Sequence, residues 1–220
     1  MERFIHTTPS PTPLVLVLCG TSGAGKSTFS AALARSGSWV VANQDTIADG
    51  RRGTRRQCVK LARESLRSGS HVVIDRCGLT IEQRGDFIAI ARDARPRCEA
   101  HCVWFDEPSA TYAERAAKRE NHPGGVCGEK ARAIVRMQRS SRENAAPTTA
   151  EGFRIVRRCK FQDQVDAARE AYARLPAPTV KCEFERETKR SRKKVGKNEG
   201  DASEDEKDRA DASGEDFGSG

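Results

Sequence analysis

The feature that most constrains this chain is an apolar run followed by a glycine-rich loop, within residues 14–28. Gly20 to Ser27 reads G-x-x-x-x-G-K-S, the P-loop pattern. Glycines let the backbone approach a phosphate closely, and the loop amides together with the next helix N-terminus attract anions. A glycine-rich turn with an unrelated lysine is the alternative, but the flanking strand and helix patterns argue against it. The predicted nucleotide-binding residues are Gly20, Thr21, Ser22, Gly23, Ala24, Gly25, Lys26, Ser27 and Thr28.

In such a loop the lysine reaches the β- and γ-phosphates of ATP, and the hydroxyl of the next residue binds Mg²⁺. We therefore predict ATP and Mg²⁺ as cofactors, with Lys26 as a catalytic residue and Ser27 as the metal ligand.

Short apolar segments alternate with longer segments of helical periodicity along the first 175 residues. This alternation requires a parallel sheet with right-handed crossovers. We predict an α/β protein with a three-layer P-loop kinase fold, in which a parallel five-stranded sheet is flanked by helices and carries a helical lid. The predicted strands are 14–18, 39–42, 71–75, 98–105 and 153–156, and the predicted helices are 27–36, 55–67, 80–94, 109–121, 126–142 and 161–174.

Two acids follow predicted strands and should meet the P-loop at one edge of the sheet, where ligands bind in such folds. Asp75 closes the strand V-V-I-D, and an acid there orders Mg²⁺ or contacts substrate, although a helix cap or an ion pair with Arg76 is the bland alternative. Asp45 follows the second strand, where it could accept a proton from an acceptor hydroxyl or be an ordinary surface acid.

Arg115 and Arg119 lie one turn apart on a predicted helix that precedes Gly124 and Gly125. An arginine on a lid can neutralise charge on a phosphoryl group in transfer. Acidic and basic neighbours surround the pair, so their spacing alone favours a solvated charged face.

The positive net charge lies in residues 1–185, the part of the chain that contains most of the apolar residues. Residues 1–185 hold 30 Lys and Arg against 21 Asp and Glu, whereas residues 186–220 hold 9 against 10. A basic domain suits a polyanion such as nucleic acid, and an arginine-rich genome is the alternative reason. We predict a flexible lead at 1–13, a P-loop domain at 14–178 and a disordered charged tail at 186–220.

The eight cysteines form no C-x-x-C pair, which argues against zinc. The sequence shows neither a signal peptide nor a span of eighteen apolar residues. We therefore expect an intracellular protein with no membrane contact. The sequence leaves the oligomeric state open, with a monomer favoured. The basic block Lys189 to Lys194 is either a nuclear localisation signal, a nucleic-acid patch or a solubilising tail, and it favours the nucleus over the cytoplasm.

Taken together, the segments resemble the kinase domain of eukaryotic polynucleotide kinase 3′-phosphatase and related 5′-hydroxyl polynucleotide kinases, including those found with aprataxin-like proteins. The resemblance covers nearly all of residues 14–157. It is carried by the ordered set G-T-S-G-A-G-K-S-T-F (20–29), N-Q-D-T (43–46), Cys58, V-V-I-D-R-C (72–77), E-Q-R (82–84), Arg115, Arg119, His122 and A-P-T-T-A-E-G-F (146–153).

The resemblance implies a kinase that transfers the γ-phosphoryl group of ATP to a 5′-hydroxyl end of DNA or RNA, in end repair. It implies that Asp45 is the general base and that Asp75, Arg76 and Arg84 contact the acceptor. It also implies that Arg119 first, and Arg115 second, contact the ATP phosphates. Catalysis would then rest on Lys26, Asp45 and Arg119.

The sequence departs from that family in three places. Extra residues lie between Asp45 and Cys58, and Gly78 stands where relatives often have asparagine. No D-x-D-x-T phosphatase motif and no histidine-triad module is present. A gluconate- or shikimate-type kinase and a non-catalytic ATP- or nucleic-acid-binding adaptor are the alternative functions.

Overall fold

The computed structural model describes residues 12–48, 53–107, 109–119 and 127–185. The strands are β1 (Leu14–Cys19), β2 (Trp39–Asn43), β3 (His71–Asp75), β4 (Glu99–Phe105) and β5 (Ile155–Cys159). The α-helices are α1 (Lys26–Ala34), α2 (Arg55–Ser68), α3 (Ile81–Asp93), α4 (Ser109–Ala117), α5 (Gly128–Ser140) and α6 (Gln162–Ala173).

The strands form one parallel sheet in the order β2-β3-β1-β4-β5. This arrangement confirms the predicted α/β architecture of a five-stranded parallel sheet with helices on its faces. Strand β1 lies at the centre and all six of its residues are buried, as a continuous apolar run between two helical layers requires. The P-loop therefore starts from the most deeply buried strand.

Each face of the sheet carries its own apolar core because side chains alternate along a strand. Val15 and Val17 point to the core formed with α2 and α3, whereas Leu16 and Leu18 point to the core formed with α1 and α6. Burial on both faces fixes the register of β1, because a shift by one residue would exchange the two sets of side chains.

The fifth strand begins later than the sequence predicts. Phe153, taken as its first residue, is instead 3% exposed and packs in the core before the strand, after a turn at Gly152 with φ of 112°. The strand continues through Arg157 and Arg158, because an edge strand tolerates polar side chains. The predicted N-terminal capping box of α3, between Thr80 and Gln83, is present.

A segment beyond α6 packs back onto the domain. Cys182 donates its backbone N–H to Leu66 at 3.0 Å, and Glu183 pairs with Arg95. The Cys182 and Cys98 sulfur atoms lie 3.1 Å apart in the interior. The chain divides into two units between Phe184 and Glu185. The predicted domain limits at 13, 178 and 186 stay predictions, and the predicted tail lies outside the described residues. None of the described helices is long and apolar enough to cross a membrane.

Two buried histidines predict that acid destabilises the fold. Burial lowers the pKa of His71 and of His101 below the ordinary 6.5, although hydrogen bonds to the Pro176 carbonyl and to Glu99 offset this in part. His71 Nδ1 accepts the Leu14 N–H at 3.0 Å, so protonation there would break a buried hydrogen bond. The unfolded chain then binds more protons than the folded chain below pH 6.5. We expect the free energy of unfolding to fall from pH 6.5 downward.

Urea titrations at pH 7.5, 6.5 and 5.5 measure this fall. A His71→Gln variant should be less stable at pH 7.5 but should lose less on acidification. Equal losses in both proteins would show that His71 does not contribute.

Candidate active site

The P-loop between β1 and α1 is already folded into a closed turn by its own lysine. Lys26 is only 8% exposed, and its Nζ donates to the Gly20 carbonyl at 2.9 Å and to the Thr21 carbonyl at 2.8 Å. Gly20 N–H donates to the Cys77 carbonyl at 2.8 Å, which ties the loop to the segment after β3. An ammonium group has three donors, so one of the three is left for a phosphate oxygen.

Two glycines explain why this turn needs its sequence. Gly25, at the N-cap of α1, has φ of 90°, and a Cβ built there would meet no atom within 4 Å. Gly23 has φ of 84°, and a Cβ there would lie 2.1 Å from the Tyr112 carbonyl oxygen of α4. Gly23 therefore permits α4 to rest against the loop, and Gly25 leaves open space at the positive end of α1.

These features fit a nucleotide phosphate group. The open space at Gly25 lies at a helix N-terminus, the Lys26 ammonium spans the loop, and the Ser27 and Thr28 side chains are exposed at the start of α1. The donor set consists of amides, an ammonium and hydroxyl groups, which is the chemistry that binds phosphate and its metal ion.

On the other side of β1, Asn43 links the two predicted acids. Its Nδ2 donates to Asp75 Oδ2 at 2.7 Å, and its Oδ1 accepts the backbone N–H of Asp45 at 2.7 Å. Ser30 of α1 donates to the same Asp75 oxygen at 3.0 Å. Asp75 is 6% exposed, so its carboxylate is held between α1, β2 and β3. Asn43 entered the sequence analysis only as part of the N-Q-D-T motif. In the structure it holds the Asp75 carboxylate and the Asp45 backbone at one edge of the sheet.

The charges of these two acids act on Arg119. Burial lowers the pKa of its guanidinium, and the charges of Cys77, Asp75 and Asp45 oppose that shift. Its side chain makes no hydrogen bond to another described residue. The arginine therefore lies within electrostatic reach of Asp75 and Asp45.

Arg76 belongs to the same group of residues. Burial raises the pKa of the Cys58 thiol, while hydrogen bonding and charge from Arg76 lower it, and Asp45 and Asp75 act on the same thiol. Residues 45, 75 and 76 therefore lie near Cys58 of α2.

Arg115 occupies a different position from Arg119. It lines a cavity of about 230 Å³ beside the start of α1, whose other lining residues are Ala24, Gly25, Thr28, Phe29, Gln162, Val165 and Arg169. Its Nη1 donates to Glu107 Oε2 at 2.8 Å. The cavity lies beside the N-terminus of α1, next to the P-loop. Its position suits the nucleoside part of a nucleotide whose phosphates bind the P-loop. The surroundings of the two arginines thus differ, since Arg115 lines a cavity and Arg119 is under the influence of Asp75 and Asp45.

Arg84, for which the resemblance implies contact with the acceptor, lies in the interior of the domain. Its side chain is fully buried and binds Glu151 through two hydrogen bonds of 2.8 Å. Its Nη1 donates to the carbonyl groups of Gly78, Leu79 and Ala145. This guanidinium holds the A-P-T-T-A-E-G-F segment against the loop after Asp75, and none of its surface reaches an acceptor.

Gly78 shows why its position accepts either glycine or asparagine. Its φ is 55°, in the left-handed region that glycine adopts without cost and asparagine tolerates better than most residues. A Cβ built at Gly78 would lie 3.1 Å from the Leu18 carbonyl oxygen, so a side chain at this position would require a small shift of its surroundings.

Gln138 of α5 reaches the P-loop, which no sequence motif indicated. Its Oε1 accepts the Ser22 N–H at 2.8 Å, and its Nε2 lies 3.9 Å from the Cys77 sulfur. The side chain therefore joins the helical layer around α4 and α5 to both the phosphate loop and the segment after β3.

Removal of this contact should loosen the phosphate loop. We expect Gln138→Ala to weaken ATP binding by a factor of about 2 to 10, the range that one hydrogen bond contributes. Isothermal titration with ATP measures this change. Met137→Ala, on the exposed surface of the same helix, is the matched control and should bind as the parent protein does. Equal affinities for the Gln138 variant and the control would contradict the assigned role.

Several predicted features lie outside the described residues. These are His122, the glycine pair 124–125, the extra residues 49–52 and the basic block 189–194.

Comparison with known proteins places the fold in a family. The model of a family described as an AAA domain matches residues 15–145, more than half of the chain. The chain belongs to the AAA domain family. The matched region of this AAA domain runs from β1 through the P-loop, both carboxylates and both arginines to the end of the segment after α5.

One curated relative and two solved structures illustrate the likeness. The chain is 38% identical over 164 residues to "Transcription factor bHLH140" of Arabidopsis thaliana, which is 74% of this chain but only 17% of that protein. A putative kinase from Chloroflexus aurantiacus aligns with a TM-score of 0.52 at 20% identity, over 75% of this chain and 99% of that one. A fungal RNA kinase aligns with a TM-score of 0.54 at 15% identity, over 73% of this chain and 42% of that one. This AAA domain therefore has the P-loop kinase-like fold, which implies a nucleotide site at the P-loop.

Proposed function

We propose that this protein is an ATP- and Mg²⁺-dependent kinase that phosphorylates the 5′-hydroxyl end of DNA or RNA. The observation that carries the proposal is the Asn43 bridge, which places the Asp45 backbone and the Asp75 carboxylate beside the P-loop. A kinase that uses an alcohol acceptor needs a carboxylate near the acceptor oxygen, and this arrangement supplies one.

The nucleotide side consists of residues with clear physical tasks. The P-loop amides and Lys26 would bind the β- and γ-phosphates, and the cavity beside Arg115 would take the nucleoside. Ser27 would hold the metal, with Asp75 next to it. A Mg²⁺ ion held there would supply positive charge that offsets the negative charge of the phosphates.

On the acceptor side, the Asp45 carboxylate would accept the proton of the 5′-hydroxyl as its oxygen attacks the γ-phosphorus. The bond from that phosphorus to the bridging oxygen breaks, and ADP leaves. Arg119, whose guanidinium feels the charges of Asp75 and Asp45, would stabilise the negative charge on the phosphoryl group during transfer.

Three observations support nucleic acid as the acceptor. Residues 1–185 carry an excess of basic residues. The A-P-T-T-A-E-G-F segment of the polynucleotide kinases is present, and its Glu151 packs against Arg84 beside the loop that follows Asp75. A structure with the same fold is described as an RNA kinase. We further propose that the protein acts in end repair, as a monomer with no membrane contact. The basic block 189–194 supports a location in the nucleus.

Incubation with γ-labelled ATP tests the proposal directly. We expect label transfer to single-stranded 5′-hydroxyl oligonucleotides and none to oligonucleotides that already carry a 5′-phosphate. A metabolite kinase would instead label gluconate or shikimate, and an adaptor would bind ATP without transfer. Either of these results would overturn the proposed acceptor.

A further inference from the structure

A second cavity of about 150 Å³ lies at the ends of β1 and β4, and Gly20 and Thr21 of the P-loop form part of its lining. None of its lining residues borders the cavity beside Arg115, and Asp45, Asp75 and Arg119 are not among them. Its lining consists of Cys19, Gly20, Thr21, Leu79, Trp104, Phe105, Arg139, Asn144, Ala145 and Ala146. The cavity thus lies behind the phosphate loop.

One side chain of this cavity indicates a ligand that is not part of the protein. Thr21 is 3% exposed, and its hydroxyl oxygen is buried without a hydrogen-bond partner among the described residues. Buried hydroxyl groups in folded proteins nearly always have a partner, because burial without one is unfavourable. Thr21 is one of the residues that border the cavity, so this unpaired hydroxyl lies in the wall beside it.

The remaining walls indicate the chemistry of the ligand. Trp104 supplies a half-buried aromatic surface, against which Arg158 places its guanidinium 4.6 Å from the ring centroid. Arg139, an exposed cation held by Asp106 and the Glu107 carbonyl, stands at the rim with the amide of Asn144. An aromatic wall, a cation and an amide are the groups that bind the base and phosphate of single-stranded nucleic acid.

Two backbone hydrogen bonds connect the lining of the cavity to the segment that follows Asp75. Leu79 lies four residues after Asp75, and its carbonyl accepts the Ala145 N–H at 3.0 Å. The Gly20 N–H binds the Cys77 carbonyl of the same segment. The segment 76–79, which directly follows Asp75, therefore borders the cavity at Leu79. The volume is below that of pockets for drug-sized ligands and suits one ring system.

We propose that this cavity binds one nucleotide of the acceptor strand, a short distance from its 5′ end, with the base against Trp104 and a phosphate near Arg139. The proposal rests on the proposed function, since it concerns the same acceptor. It explains how a P-loop kinase would prefer a polynucleotide over a small alcohol, because the terminal hydroxyl alone offers few contacts for recognition.

The fluorescence of Trp104 tests this site without any catalysis. The protein has two tryptophans, and Trp39 is 5% exposed in the core. A Trp39→Phe variant makes Trp104 the single reporter, and Trp104→Phe serves as the converse. We expect a 5′-hydroxyl hexanucleotide without ATP to quench the emission of the Trp39→Phe variant and of the parent protein in a saturable way, but not that of Trp104→Phe. If Trp39→Phe does not fold, the difference between the parent protein and Trp104→Phe gives the same answer.

Three results would overturn the site. Binding of a dye-labelled hexanucleotide without quenching would place the strand elsewhere and leave the proposed kinase intact. Equal quenching by ATP or AMP at the same concentration would identify a mononucleotide site. Absence of any oligonucleotide binding would remove the site together with the proposed acceptor.

A second measurement addresses affinity. Stacking of one base on an aromatic side chain predicts that Trp104→Ala weakens hexanucleotide binding about tenfold or more. Phe161→Ala removes another exposed aromatic side chain, outside the cavity, and should leave the affinity unchanged. Equal affinities of both variants would overturn the role of Trp104.

Discussion

Replacing Asp45 by asparagine should lower the rate of phosphoryl transfer by a factor of about 10² to 10⁴, the usual contribution of a general base. The asparagine keeps the backbone N–H that binds Asn43 Oδ1, so the loop should keep its shape. It cannot accept the proton of the attacking hydroxyl. Single-turnover rates with saturating ATP and a 5′-hydroxyl oligonucleotide measure the loss.

The control is Asp93→Asn, which removes a surface carboxylate that pairs with Arg92 at the end of α3. Its rate should match that of the parent protein, and ATP affinity should be unchanged in both variants. A rate for Asp45→Asn within a factor of three of the control would remove Asp45 from the proposed mechanism.

Glu151→Gln should cost about 3 to 5 kcal/mol of folding stability, because it leaves the buried Arg84 guanidinium without its counter-charge. Both partners are largely removed from solvent, with side-chain exposures of 0% and 6%. Loss of the pair should also free the 145–153 segment from the loop after Asp75, since Arg84 binds both. Urea unfolding monitored by circular dichroism measures the difference.

Glu143→Gln is the matched control, because Glu143 is exposed and its side chain forms no hydrogen bond to the described residues. Its stability should stay within about 0.5 kcal/mol of the parent protein. The double variant Arg84→Met/Glu151→Leu should recover much of the loss, since it buries no unpaired charge. A Glu151 variant as stable as the control would contradict the structural role given to this pair.

Much of this fold could be predicted from periodicity and one motif. Alternating apolar and helical segments predict a parallel sheet, whereas the strand order with β1 at the centre comes from the structure. The position of β5 could not be predicted as well. Phe153 is apolar like a strand residue, but it packs in the core ahead of the edge strand, and tertiary packing decides such positions.

The site was less predictable for a physical reason. Asp45 and Asp75 carry charges at strand ends, so sequence position alone brings them together. Arg84 carries the same charge, and only the structure gives its burial against Glu151. Asn43 and Gln138 are ordinary polar residues whose importance lies in the atoms they join, and such contacts leave no periodic signal.

The two arginines of α4 and its C-terminal end illustrate the same point. Their spacing places them on one face of a helix, but the structure sets Arg115 beside a cavity and Arg119 beside the carboxylates. Their proposed tasks therefore differ. Arg115 would border the nucleoside, and Arg119 would stabilise the charge of the phosphoryl group during transfer.

The most direct test of the central claim is the position of the transferred phosphate. The parent protein and Asp45→Asn would be incubated with γ-labelled ATP and a 5′-hydroxyl oligonucleotide, as DNA and as RNA, and the products digested to mononucleotides. The account predicts that the parent protein places the label on the 5′-terminal nucleotide of at least one of the two and that the variant transfers almost none. Label on neither oligonucleotide, or equal labelling by both proteins, would contradict it.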